Sequence, residues 1–65
     1  MPEREIFMRT LQRAAELVGG EQQLAFELRV TPSHLALWLS GTEQPPIDVF
    51  LRALALVHRR EFPQA

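Results

Sequence analysis

Apolar residues along this chain recur at helical spacing in four blocks, three of them closed by glycine or proline. In the first block Phe7, Leu11, Ala14 and Val18 form a stripe that Ile6, Ala15 and Leu17 widen, with Arg4, Arg9, Arg13 and Glu16 opposite. This predicts a helix over about 3–18, with Pro2, Glu3 and Glu5 suited to a first turn whose dipole favours acids. Gly19-Gly20 ends it, because glycine adopts the positive φ of a helix C-terminus without strain. Leu24, Ala25 and Leu28 give a short second helix over about 21–28. Beyond Arg29-Val30, Thr31 is a suitable N-cap and Pro32 a suitable first residue, so a third helix is predicted over about 32–40, stopped by Gly41.

The loop TEQPP follows, and Pro46 is predicted to open the last helix, over about 46–60. Its main stripe is Ile47, Phe50, Leu51, Leu54 and Val57. Val49, Ala53 and Leu56 make a second apolar line, leaving little polar surface before His58-Arg59-Arg60. Such a helix is either central in its fold or paired with another chain. The cations complement the dipole at the helix end, and Phe62-Pro63 stops the helix.

With no strand signal, no repeat and no low-complexity segment, the expected fold class is all-α. The expected form is a compact four-helix bundle in one domain, 1–65, whose second and third helices form a tight pair. The expected core is Trp38, Leu35, Leu24, Leu28, Phe7, Leu11, Phe50 and Leu54. Sixty-five residues leave no room for a second core, and the absence of cysteine excludes disulfides and thiolate metal sites. The apolar runs are too short to span a bilayer and the N-terminus lacks the pattern of a signal peptide, so a cytoplasmic, membrane-free protein is expected.

The run QQLAFELRVTPSHLALWLSG, followed by PP and an apolar helix, resembles the phage-repressor and Cro-like helix-turn-helix domains, whose fold is lambda-repressor-like. It is similar to small bacterial members with the pattern GG-x-x-x-LA-x-x-L-x-V-x-x-x-x-L-x-x-WL-x-G, and the likeness covers about residues 11–57. Ala25 matches the alanine under the second helix of the pair, Val30 the apolar residue after the turn, Leu35 and Trp38 the inward residues, and Gly41 the closing glycine. The resemblance implies a transcriptional regulator that binds double-stranded DNA, with residues 32–40 as recognition helix. It places Pro32, Ser33, His34 and Leu37 at base-facing positions, Ser40 near the DNA backbone, and Thr31 at the head of the helix. Ser33 and His34 offer hydrogen bonds to bases or phosphates and Leu37 a contact to a thymine methyl. That helix holds no Arg, Asn or Gln, the residues of bidentate base readout.

Two positions depart from the pattern. Glu21 stands where relatives offer glutamine to a phosphate, leaving Gln22 or Gln23 for that role. Arg29 stands where the family has glycine in a left-handed turn; there it would carry roughly 1 kcal/mol of strain, and it is a candidate phosphate contact.

Net charge is −1 and the pI near 6.1, without the basic excess common in nucleic-acid binders. All seven cations are arginine, suited to phosphate by their fork of donors, yet Arg4, Arg9 and Arg13 are interleaved with acids as on a solvated face. His34 and His58 have no partner at metal-ligand spacing, and neither a nucleophile-base pair nor a glycine-rich phosphate loop is present. No enzyme activity, metal, cofactor or small-molecule ligand is therefore expected. Leu37 is expected to face outward with Ser33 and Ser40, which favours a methyl contact or a protein partner. Two functions stay open at this point: a DNA-binding regulator, and a protein-interaction module on the same scaffold. Val49, Ala53 and Leu56 either form a homodimer interface, which would set two recognition helices about 34 Å apart, or pack on the first helix.

Overall fold

A computed structural model describes residues 3–62, with side chains from Glu5 to Phe62. The roles expected of Pro2, of Pro63 and of the side chains of Glu3 and Arg4 lie outside the described residues.

Four helices follow one another: α1 (Glu3–Val18), α2 (Glu21–Leu28), α3 (Pro32–Leu39) and α4 (Ile47–Glu61). α1 buries Leu11, Ala14 and Ala15 and keeps Arg9 and Arg13 outside, where Arg9 meets Glu5 at 3.3 Å and Arg13 meets Glu16 at 3.2 Å. These are exposed intrahelical pairs of small energetic weight. At its end the N–H groups of Gly19 and Gly20 both donate to the Ala15 carbonyl, at 3.1 and 2.8 Å. The φ values of 101° and 135° that this requires are open to glycine and strained for other residues.

The core takes residues from every helix: Leu11, Ala14 and Ala15; Leu24, Ala25 and Leu28; Leu35 and Trp38; Val49, Ala53 and Leu56. With a radius of gyration of 11.1 Å, the chain is as dense as a folded domain of its length. α1 and α4 run alongside each other in the same sense. Phe7 meets Phe50 edge-on at 4.6 Å between ring centres, and Arg13 Nε donates to Glu61 at 2.8 Å. The two acids Glu61 and Glu16 raise the Arg13 pKa, hydrogen bonding to Glu61 being the largest cause.

Four expectations are corrected. Pro46, with ψ 150°, precedes α4 rather than opening it, its carbonyl accepting the first bond of the helix from Phe50 N–H at 3.0 Å. α3 ends at Leu39, with Ser40 as its cap. Phe7 and Phe50 are half-buried and Leu54 is 45 % exposed, so none of these three is fully in the core. Of the two roles held open for Val49, Ala53 and Leu56, a dimer interface or packing within the chain, the dimer interface is set aside: they are 4, 0 and 5 % exposed and belong to the chain's own core. The reason is that α4 packs along α1 and against α2, which covers this side of the helix.

No described helix is long and apolar enough to cross a membrane.

Candidate functional site

The turn between α2 and α3 is fixed by backbone bonds. Arg29 lies in the left-handed region, φ 59° and ψ 43°, and its N–H donates to the Phe26 carbonyl at 3.2 Å while Val30 N–H donates to that of Ala25 at 3.0 Å. This pair of reversed bonds is the Schellman way of ending a helix. It turns Val30 inward against the core. The positive φ expected of Arg29 is therefore observed, at a residue that lacks glycine's freedom.

α3 starts as its sequence dictates. Thr31 is extended, its hydroxyl oxygen accepts from His34 N–H at 3.2 Å, and Pro32 occupies the first turn. The same hydroxyl lies 3.0 Å from His34 Nδ1, and the imidazole lies nearly parallel to the Trp38 ring, 13° apart with centres at 6.1 Å. Leu35 and Trp38 point into the core at 1 and 6 % exposure, while Pro32, Ser33 and His34 stand exposed.

Arg29, Thr31, Pro32, Ser33 and His34 are thus gathered at the head of α3. Gln22 and Gln23 are exposed on α2, and Gln23 donates to its own helix neighbour Glu27 at 3.2 Å. Ser40 sits at the far end of α3, about 10 Å along the axis from Ser33, where its hydroxyl donates to the Leu37 carbonyl at 3.1 Å and lies 2.9 Å from Thr42 Oγ1. That hydroxyl closes the helix. Leu37 departs from expectation, being half-buried and packed against the core. The loop after Gly41 folds back along it, with Thr42 and Glu43 N–H both donating to its carbonyl at 3.0 and 3.2 Å.

Charge is divided along α3. At its head Arg29 forms no ion pair among the described residues, and Arg52, reaching over from α4, donates to the Leu28 carbonyl at 3.0 Å and to Asp48 at 3.3 Å. At its tail an open groove runs between Glu16 and Glu21 on one side and Leu39 and Ser40 on the other. Glu21 therefore lies beside the tail.

Arg52 is the residue of this region that sequence reasoning missed, since its partner is 24 positions away and is a main-chain atom. Phe26, 78 % exposed on the outer side of α2, was likewise not singled out. Compared with family models, with curated proteins and with solved structures, the chain matches none.

Proposed function

We propose that this chain is a DNA-binding transcriptional regulator in which α2 and α3 act as a helix-turn-helix and α3 enters the major groove. The observation that carries the reading is the head of α3: a short turn locked by Arg29 and a helix start locked by Thr31 hold Pro32, Ser33 and His34 exposed on a rigid first turn. In helix-turn-helix proteins that turn contacts base edges. The likeness of residues 11–57 to the phage-repressor and Cro-like domains supports the same reading.

Within it, Ser33 and His34 read bases by single hydrogen bonds, so discrimination per base pair is modest. Arg29, which forms no ion pair among the described residues, neutralises a phosphate beside the turn and Gln22 donates to one. Thr31 and Ser40 serve mainly to hold the ends of α3, because their hydroxyls are already bonded within the chain. One phosphate-neutralising arginine per copy gives a dependence of log K on log salt of about −1 per copy, far shallower than that of strongly basic regulators.

The test is selection from a randomised duplex pool at about 50 mM salt, then titration of the recovered duplex up to about 200 mM salt. A recovered duplex whose binding weakens with the shallow slope supports the reading. Failure to retain any duplex while the protein is folded contradicts it.

A second reading, a protein-interaction module on the same scaffold, draws on Phe26 rather than on Leu37, since Phe26 is 78 % exposed while Leu37 is packed against the core. It gains if no duplex is retained and Phe26→Ser abolishes capture of a protein partner.

A further inference from the structure

Thr31 and His34 share one oxygen. Thr31 Oγ1 accepts from the His34 backbone N–H at 3.2 Å and lies 3.0 Å from Nδ1 of the same residue. A hydroxyl has one hydrogen and two lone pairs. With one lone pair committed to the backbone N–H, the hydrogen is free for Nδ1, which accepts it when the hydrogen of the neutral imidazole sits on Nε2. Every group of the pair is then used once: the amide donates to the oxygen and the hydroxyl donates to the ring. The reverse arrangement, with Nδ1–H donating, loads the oxygen with two donors and leaves the hydroxyl hydrogen to solvent. The plane of the ring is held as well, 13° from that of the buried Trp38 with centres at 6.1 Å. Nδ1 faces back to the cap, and Nε2, on the far edge of the ring, faces away from it.

We infer that Thr31 fixes the tautomer of His34, so that this side chain presents a donor and no acceptor, and that the base edge it addresses is guanine. This rests on the proposed entry of α3 into the major groove. There guanine shows two adjacent acceptors, N7 and O6. Adenine sets a donor amino group beside its N7, thymine a methyl group beside its O4, and cytosine offers only a donor. A lone Nε2–H is therefore accommodated best by guanine and opposed by cytosine. A free histidine serves as donor or acceptor; the cap makes this one a donor only. Thr31, at the N-cap of α3, thus acts on specificity through His34 and is a positioning residue.

The strength is that of one hydrogen bond. Exchanging guanine for cytosine at the addressed position replaces a bond by two facing donors and is expected to weaken binding about fivefold to tenfold. The contacts proposed for Arg29 and Gln22 go to phosphates, which carry no base preference.

The experiment has two parts, the first without DNA. Long-range proton–nitrogen spectra of the isotope-labelled full chain are recorded at about pH 9, above the ordinary imidazole range. His34 is expected to carry its hydrogen on Nε2 in a larger fraction than the exposed His58, whose ring lies 5.3 Å from that of Phe62. That fraction is expected to fall to the His58 level in Thr31→Ala and to be kept in Thr31→Ser, with circular dichroism of each variant as a check on folding. A hydrogen on Nδ1, or a fraction unmoved by Thr31→Ala, overturns the inference whatever the chain binds. The second part inverts, one at a time, each G·C pair of the duplex recovered by selection. One inversion is expected to weaken wild-type binding about fivefold to tenfold and His34→Ala binding less than about twofold. His34→Ala keeps the backbone N–H that the Thr31 oxygen accepts, so the helix start is retained. If no inversion separates the two proteins, His34 addresses a phosphate or nothing, which overturns the guanine assignment and leaves the DNA reading standing. If no duplex is recovered from a folded chain, the DNA reading falls and the guanine assignment with it, while the first part still decides the tautomer.

Discussion

Arg52 donates from Nη1 to the carbonyl oxygen of Leu28 at 3.0 Å, tying the middle of α4 to the last residue of α2. The reversed bonds at Arg29 and Val30 occupy the carbonyls of Phe26 and Ala25, and the Leu28 carbonyl is supplied by Arg52. A charged donor therefore completes the end of α2, where the chain leaves for α3.

Arg52→Ala is expected to lose about 1–2 kcal/mol in urea denaturation, a charge-assisted bond discounted because the side chain is about half exposed. Asp48→Asn is expected to change stability by less than about 0.5 kcal/mol, since the Asp48–Arg52 pair is exposed. Equal losses in the two variants would show that the bond to Leu28 contributes nothing of its own.

Arg29 sets stability against function. Arg29→Gly relieves a left-handed side chain worth roughly 1 kcal/mol, so the melting temperature is expected to rise by about 4–8 °C for a domain of this size. Binding to the selected duplex is expected to weaken, and the salt slope to shrink by about 1. A fall in melting temperature would mean that the arginine side chain itself holds the turn.

Thr31→Ala removes the oxygen that accepts from His34 N–H and is expected to lose about 1 kcal/mol, with Thr31→Ser retaining most of it. Thermal unfolding followed at the Trp38 fluorescence band measures both. Equal loss in the two variants would assign the effect to packing of the threonine methyl.

Trp38→Ala is expected to lose about 3–5 kcal/mol, a large share of the stability of so small a domain, and to leave much of the chain unfolded at 37 °C in circular dichroism. A loss below about 1 kcal/mol would show that the core collapses around the gap.

The helix ends were legible in the sequence because they are local. Gly19-Gly20, Thr31-Pro32 and Gly41 each act on the turn they belong to, and α1 and α2 begin and end where the spacing places them. The left-handed turn at Arg29 was legible only through the family pattern, since nothing about arginine itself favours positive φ. Which side of α4 faces inward was not legible. Val49, Ala53 and Leu56 recur at the same steps as Ile47, Leu51 and Leu54, and the choice between them depends on how α4 packs on α1 and α2, which are distant in sequence. Leu37 differs for a similar reason: it packs against a core assembled from all four helices, which its own helical spacing does not show. Of the candidate site, the head of α3 was found from Thr31 to His34, and Arg52 was not, because its bond to the turn exists only in the folded chain.

The most direct measurement is a titration of the isotope-labelled chain with the selected duplex at about 50 mM salt, followed by backbone amide resonances. The account predicts the largest shifts at Gln22, Arg29, Ser33 and His34, with Leu51, Ala55 and His58 unmoved. A folded chain whose resonances do not move, or move only around Phe26 or the outer face of α4, would contradict it.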